Sequence, residues 1–117
     1  MIRQGDLYWA DVAEPRGSEP GYHHPVVVVQ NNLFNDIPIK TVVVCMITYN
    51  QRYAKAPGNV ALSKGEGGLT RSSVVNVTQL YTVNKADLLD YIGTLSARRT
   101  RDVLNGVKFV IEPREAD

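Results

Sequence analysis

Pro25-Val26-Val27-Val28-Val29-Gln30 and Thr41-Val42-Val43-Val44-Cys45-Met46-Ile47-Thr48 decide the fold class. Both runs are β-branched and apolar, and both fit a pleated, buried strand. Neither alternates with polar residues, so both faces of each strand are predicted to be covered. Pro25 stands at the expected first position of its strand, where a missing N–H is tolerated. Asn31-Asn32 breaks the first run.

Further strands flank this pair. Leu7-Tyr8-Trp9-Ala10-Asp11-Val12 enters from Gly5-Asp6. Residues 13–24 are rich in Gly, Pro, Ser and Glu and read as a long loop. Residues 49–58 form a polar loop closed by Pro57-Gly58, and a short strand follows near Val60-Ala61-Leu62. Residues Gly65 to Gly68 make a flexible break. Ser73–Val77 and Tyr81–Val83 continue the sheet, Asn84 and Asp87 mark a helical turn, and Tyr91-Ile92-Gly93 returns as a last strand. The period then changes. Val103, Leu104, Val107, Val110 and Ile111 share one helix face, Ser96 is the N-cap and Pro113 the stop. The sum is mainly β: a curled, antiparallel barrel with a C-terminal helix, residues 1–117 forming a single domain.

Composition narrows the function classes. The 117 residues are enough for one ordinary core, and the lone Cys45 can make neither an internal disulfide nor a cysteine zinc site. With no apolar leader and no run of about 20 apolar residues, the chain is expected to be cytoplasmic, with no membrane contact. Net charge is only +1, but it is unevenly spread. Residues 1–39 carry two basic and five acidic side chains, whereas residues 40–71 carry Lys40, Arg52, Lys55, Lys64 and Arg71 against Glu66 alone. That middle third either presents a basic surface to a polyanion or is an ordinary solvated face.

Several residues carry possible chemistry. The loop Glu14-Pro15-Arg16-Gly17-Ser18-Glu19-Pro20-Gly21-Tyr22-His23-His24 holds both histidines. Adjacent histidines entering a strand point to opposite faces, which argues against a shared metal. The carboxylates are scattered, so no metal or other cofactor is expected. His24 precedes Pro25, which biases its backbone to extended geometry. It is either a proton carrier near neutrality or a solvent-exposed residue at a strand start. Thr48 shares a strand face with Val42, Val44 and Met46. Its hydroxyl either binds a phosphate oxygen or simply closes a strand. Tyr49, Asn50, Arg52, Tyr53 and Lys55 interleave rings and cations, a pattern that suits single-stranded nucleic acid.

In order, Gly5–Asp11, Arg16-Gly17-Ser18-Glu19, the Gly21…Pro25 step into valines, Gln30-Asn31-Asn32, Thr41–Val44 leading to Ile47-Thr48, Ala54-Lys55-Ala56-Pro57, Ser73-Val74-Val75…Gln79–Val83 and Ile92–Ser96 resemble the MazF/PemK family of toxin endoribonucleases. The resemblance covers nearly the whole chain. It implies an SH3-like barrel, a homodimer with an RNA groove at its interface, and a cognate antitoxin protein that blocks the groove. It implies cleavage of single-stranded RNA by the neighbouring 2′-hydroxyl, leaving a cyclic phosphate and a 5′-hydroxyl. By position, Thr48 matches the catalytic threonine, Gln79 a groove glutamine, and Glu19 the acid of a Gly-Ser-Glu motif.

The chain also departs from the family. His24 stands where most members have a catalytic arginine, so His24 and Arg16 are the candidates for its role, with Thr48. Ser18, Asn76 and Thr78 replace the histidine, arginine and aspartate of a second branch. Tyr81 replaces a groove arginine. Ser18, Glu19, Asn32, Tyr49, Arg52, Tyr53, Lys55, Gln79 and Tyr81 are the expected substrate contacts. The lost arginine also leaves open a non-catalytic toxin that binds a protein, as topoisomerase poisons of this barrel type do, or a plain SH3-like adaptor.

Overall fold

The computed structural model describes residues 1–12 and 22–114. Six antiparallel strands form one sheet: β1 (Asp6–Val12), β2 (Tyr22–Val28), β3 (Thr41–Thr48), β4 (Val60–Leu62), β5 (Ser73–Asn84) and β6 (Leu88–Thr94), in the spatial order β4-β5-β3-β2-β1-β6. Helix α1 (Asn32–Asn35) links β2 to β3, and helix α2 (Ala97–Ile111) follows β6. The sheet curls into a half-barrel.

The two valine runs lie at its centre, as their composition requires. Val26 pairs with Met46 and Val28 with Val44. Side chains alternate, and each face meets a different core. Val27, Cys45 and Ile47 pack with Leu7, Val75, Val77 and Val103 of α2. Val26, Val28, Val42 and Val44 pack with Ala10 and Val12 on the other face.

Where the structure differs, the reasons are local. β2 begins at Tyr22 rather than Pro25, because β1 extends to meet it (Val12 opposite Tyr22). β3 pairs with β2 only as far as Val26, so Pro25 sits at a margin where a missing donor is harmless. Asn31 does not merely break the run. Its side chain accepts the Leu33 N–H at 3.0 Å and caps α1. The two expected pieces at 73–77 and 81–83 are one strand with an irregular stretch between them.

Two glycines allow close closure. A Cβ on Gly93 of β6 would collide with the Gly67 carbonyl, where the curl brings β6 onto the 3-10 turn Glu66–Gly68. A Cβ on Gly106 of α2 would collide with the Gly58 carbonyl, so the helix lies directly on the polar loop. Ser96 caps α2 as predicted, accepting from Arg99 N at 3.1 Å. Arg99 then grips Glu66 at 2.9 and 3.2 Å. The helix face is shorter than its periodicity implies. Val103 is buried, but Phe109, Val110 and Ile111 are 50%, 40% and 68% exposed because the last turn runs past the sheet. Among the described residues, no helix is long and apolar enough to cross a membrane.

Candidate active site

β3 ends in Thr48, and the turn after it orients the hydroxyl. Asn50 N–H donates to Thr48 Oγ1 at 3.2 Å. The oxygen lone pair is thus engaged and the hydroxyl proton is left to donate elsewhere. On β2, His24 lies two residues before Val26, the last β2 position paired with β3, and it faces Ala10 of β1 in register. The His24 and Thr48 side chains line one groove of about 1060 Å3.

The third wall comes from an irregularity in β5. Cys45 pairs with Leu80, but the next residue, Met46, pairs with Asn76. Val77, Thr78 and Gln79 are therefore extra, and they bend the strand outward. Asn59 holds this bulge. Its Oδ1 accepts from Val77 N at 2.9 Å, and its Nδ2 donates to the Tyr53 carbonyl at 2.9 Å. Thr78 Oγ1 donates to Asn76 Oδ1 at 3.2 Å, and the Tyr81 hydroxyl donates to Gln79 Oε1 at 3.0 Å. Asn59, Asn76, Thr78, Gln79 and Tyr81 all face the groove. Phe109, Val110 and Arg114 close it from the end of α2.

No carboxylate is among the described lining residues, while Arg114 and His24 are. A groove whose described lining carries cationic and hydroxyl groups and no carboxylate suits a phosphodiester. Cys45 lies behind it with Sγ 3.1 Å from the Asn76 carbonyl, and burial pushes its thiol up to about 12. It is a core residue, not a nucleophile.

Comparison with known proteins places this geometry. The family of PemK-like, MazF-like toxins of type II toxin-antitoxin systems matches residues 3–111. The chain belongs to that family. Endoribonuclease MazF6 of Mycobacterium tuberculosis is 39% identical over 112 residues, covering 96% of this chain and 98% of the relative. Endoribonuclease MazF of Staphylococcus saprophyticus is 36% identical over 107 residues, covering 92% and 88%. In fold, a mycobacterial endoribonuclease in complex with its cognate antitoxin superposes with a TM-score of 0.77 at 22% identity, covering 97% and 99%. MazF of Deinococcus radiodurans gives 0.73 at 19%, covering 96% and 97%.

Within this MazF/PemK toxin, the expected residues divide into groups. His24, Thr48, Tyr53, Gln79 and Tyr81 meet in the groove. Tyr49 lies beside it with the Arg71 guanidinium 4.3 Å over its ring. Arg52 and Lys55 are exposed on the 3-10 turn Gln51–Lys55 and do not line the groove. Asn32 lies past the opposite end of β2, at the start of α1, and is not among the described groove-lining residues. Its Oδ1 accepts from Gln4 N at 2.8 Å and Asn35 Nδ2 at 3.0 Å, so that oxygen ties the N-terminal turn to α1. Arg16, Ser18 and Glu19 lie outside the described residues.

The two histidines separate as alternation requires. His23 stacks on Trp9 at 4.9 Å and meets Asp11 at 3.2 Å, while His24 lines the groove. Sequence reasoning missed Asn59, Phe109 and Arg114. A usable signal existed for one of them: Phe109 is a large apolar residue off the stripe that buries α2.

Proposed function

We propose that this chain is an endoribonuclease toxin that cuts single-stranded RNA without a metal ion. The observation that carries this is the meeting of His24 and Thr48, 24 positions apart in sequence, in one groove whose described lining holds no carboxylate.

The chemistry is transesterification. The 2′-hydroxyl attacks its own phosphodiester, forming the O2′–P bond as the P–O5′ bond breaks. The 2′ proton goes to a base, and the departing O5′ takes a proton. His24 is the proton carrier, since imidazole exchanges a proton near neutrality. Thr48 donates its free hydroxyl proton to a non-bridging oxygen as negative charge builds on phosphorus. Imidazole is a weaker charge clamp than the guanidinium it replaces, so Arg16 of the β1–β2 loop is the candidate for that part. DNA lacks the 2′-hydroxyl and is not cut.

The working unit is a cytoplasmic homodimer. The exposed Phe109 and Val110 that line the groove, with the exposed Ile111 beside them in sequence, favour burial against a second copy. A cognate antitoxin protein is its partner, as the neighbour solved in complex with its cognate antitoxin supports, and it acts by covering the groove.

The deciding experiment is cleavage of a long single-stranded RNA in EDTA by wild type and His24→Ala, with the product ends analysed. Cyclic-phosphate ends from wild type, and a 100-fold or greater loss in the variant, are expected. Intact RNA with wild type would end the proposal.

A further inference from the structure

We propose that Arg71, seated on the ring of Tyr49, is a second phosphate-binding station for the RNA strand, next to the bond broken at Thr48. The proposal rests on the endoribonuclease reading and adds to it a residue outside the groove lining. Its role is to hold the strand, not to assist the chemical step.

The position of Arg71 is built, not incidental. Thr48 pairs with Val74, so the segment before Val74 runs beside the turn after Thr48. Ser73 is fully buried, and its Oγ donates to the Arg71 carbonyl at 2.8 Å. Gln51 Nε2 donates to the Ser72 carbonyl at 3.1 Å and to the Tyr49 carbonyl at 3.3 Å. The two loops are thereby tied together at the end of the sheet that carries Thr48. Arg71 then lays its guanidinium carbon 4.3 Å from the Tyr49 ring centroid. A guanidinium stacked this way uses its face and leaves its N–H edge outward. That edge is the fork that fits a phosphate.

The charge around it is uncompensated. Glu66 is the sole acid between residues 40 and 71, and Arg99 of α2 has taken it. Among the described residues, no carboxylate pairs with Arg71, Arg52, Lys55 or Lys64. The basic middle third is therefore net positive in the folded chain, and Arg71 is the cation in it that is seated on a ring, at the residue next to Thr48. Arg52, Lys55 and Lys64 have no comparable seat.

The test uses the full chain and a short single-stranded RNA with one cleavage site. Cleavage kinetics are measured for wild type, Arg71→Ala, Arg71→Lys, Tyr49→Leu and, as a remote control, the exposed α2 cation in Arg101→Ala. Binding of the same oligomer with a 2′-deoxy block at the cut site is followed by fluorescence anisotropy. Arg71→Ala should raise KM and the anisotropy Kd about tenfold and leave kcat within twofold. Its slope of log Kd against log salt should flatten by about 0.7, the value for one lost phosphate contact on a single strand. Arg71→Lys should fall between, since the charge stays and the fork goes. Tyr49→Leu should raise the anisotropy Kd in the same direction as Arg71→Ala, because the ring that seats the guanidinium is gone.

An unchanged Kd and salt slope in Arg71→Ala would overturn the proposal, leaving the stack as a cover for Tyr49. An equal loss in Arg101→Ala would also overturn it, reducing the effect to general charge. Wild type that binds the blocked oligomer but does not cut would fail the endoribonuclease reading while the anisotropy arm still decides Arg71. Wild type that neither binds nor cuts would sink both.

Discussion

β3 and β5 lie side by side with eight paired positions, yet they do different work. β3 spends eight residues on eight pairs, and alternate side chains fill two cores. β5 spends twelve residues on eight pairs with β3, and three of the surplus, Val77, Thr78 and Gln79, form the bulge. A regular strand leaves its end residue, Thr48, in a fixed place. An irregular one turns Gln79 and Tyr81 toward it. The groove exists because one strand keeps register and its neighbour does not.

The comparison breaks most visibly at Thr48. Thr48→Ala should lower kcat/KM by 100-fold or more, because the donor aimed at the phosphoryl oxygen is gone. Thr48→Ser should recover much of that. Val44→Ala, in the same strand but fully buried, should do the reverse. It should cost about 2 kcal/mol of stability and leave activity per folded molecule unchanged. Urea unfolding beside RNA cleavage separates the two. If Thr48→Ala proves as destabilised as Val44→Ala, Thr48 belongs to the core and not to the site.

Asn59 sharpens the contrast, since it stands in for the strand partner that the bulge lacks. Removing its amide leaves the Val77 N–H without its acceptor next to a fully buried side chain. Asn59→Ala should therefore cost about 1–2 kcal/mol. Unlike Val44→Ala, it should also lower cleavage by about tenfold, as Gln79 and Tyr81 lose their aim. Hydrogen exchange at Val77 gives a direct check: the amide should become fast in the variant, while those of β3 stay slow.

These two strands also show how far the residues could be read. β3 was legible because Thr41–Thr48 leaves no other reading: a β-branched run with nothing polar inside it. Thr48 and His24 were legible through the order of motifs around them. The bulge was not. Residues 78–80 look like a gap between two strands, since the amide that stabilises the bulge comes from Asn59, far along the chain. Phe109 and Arg114 reach the groove through packing of α2, which depends on a glycine-to-backbone contact at Gly106. Local pattern carries no record of such contacts. α1 was missed for a smaller reason: four residues are too few for periodicity, and the capping Asn31 also reads as a strand breaker.

The smallest effect concerns what keeps the bulged side covered. Arg99 ties α2 to the turn after β4, with its side chain and that of Glu66 only 23% and 29% exposed. The Arg99 hydrogen bonds, with help from Ser63 N–H, hold the Glu66 carboxyl below the ordinary carboxylate range. A folded-state value below the unfolded one means that this stabilisation is present above the usual glutamate range and is lost as pH falls through the depressed folded value. Thermal unfolding of wild type should therefore decline in acid more steeply than that of Glu66→Gln, which cannot titrate there. At neutral pH the variant should lose about 1 kcal/mol, as for one partly covered ion pair. Parallel acid limbs in the two proteins would show that the Arg99–Glu66 contact contributes nothing to the seat of α2. The shape of the groove's far wall would then rest on the Val103 core packing and the Gly106–Gly58 contact.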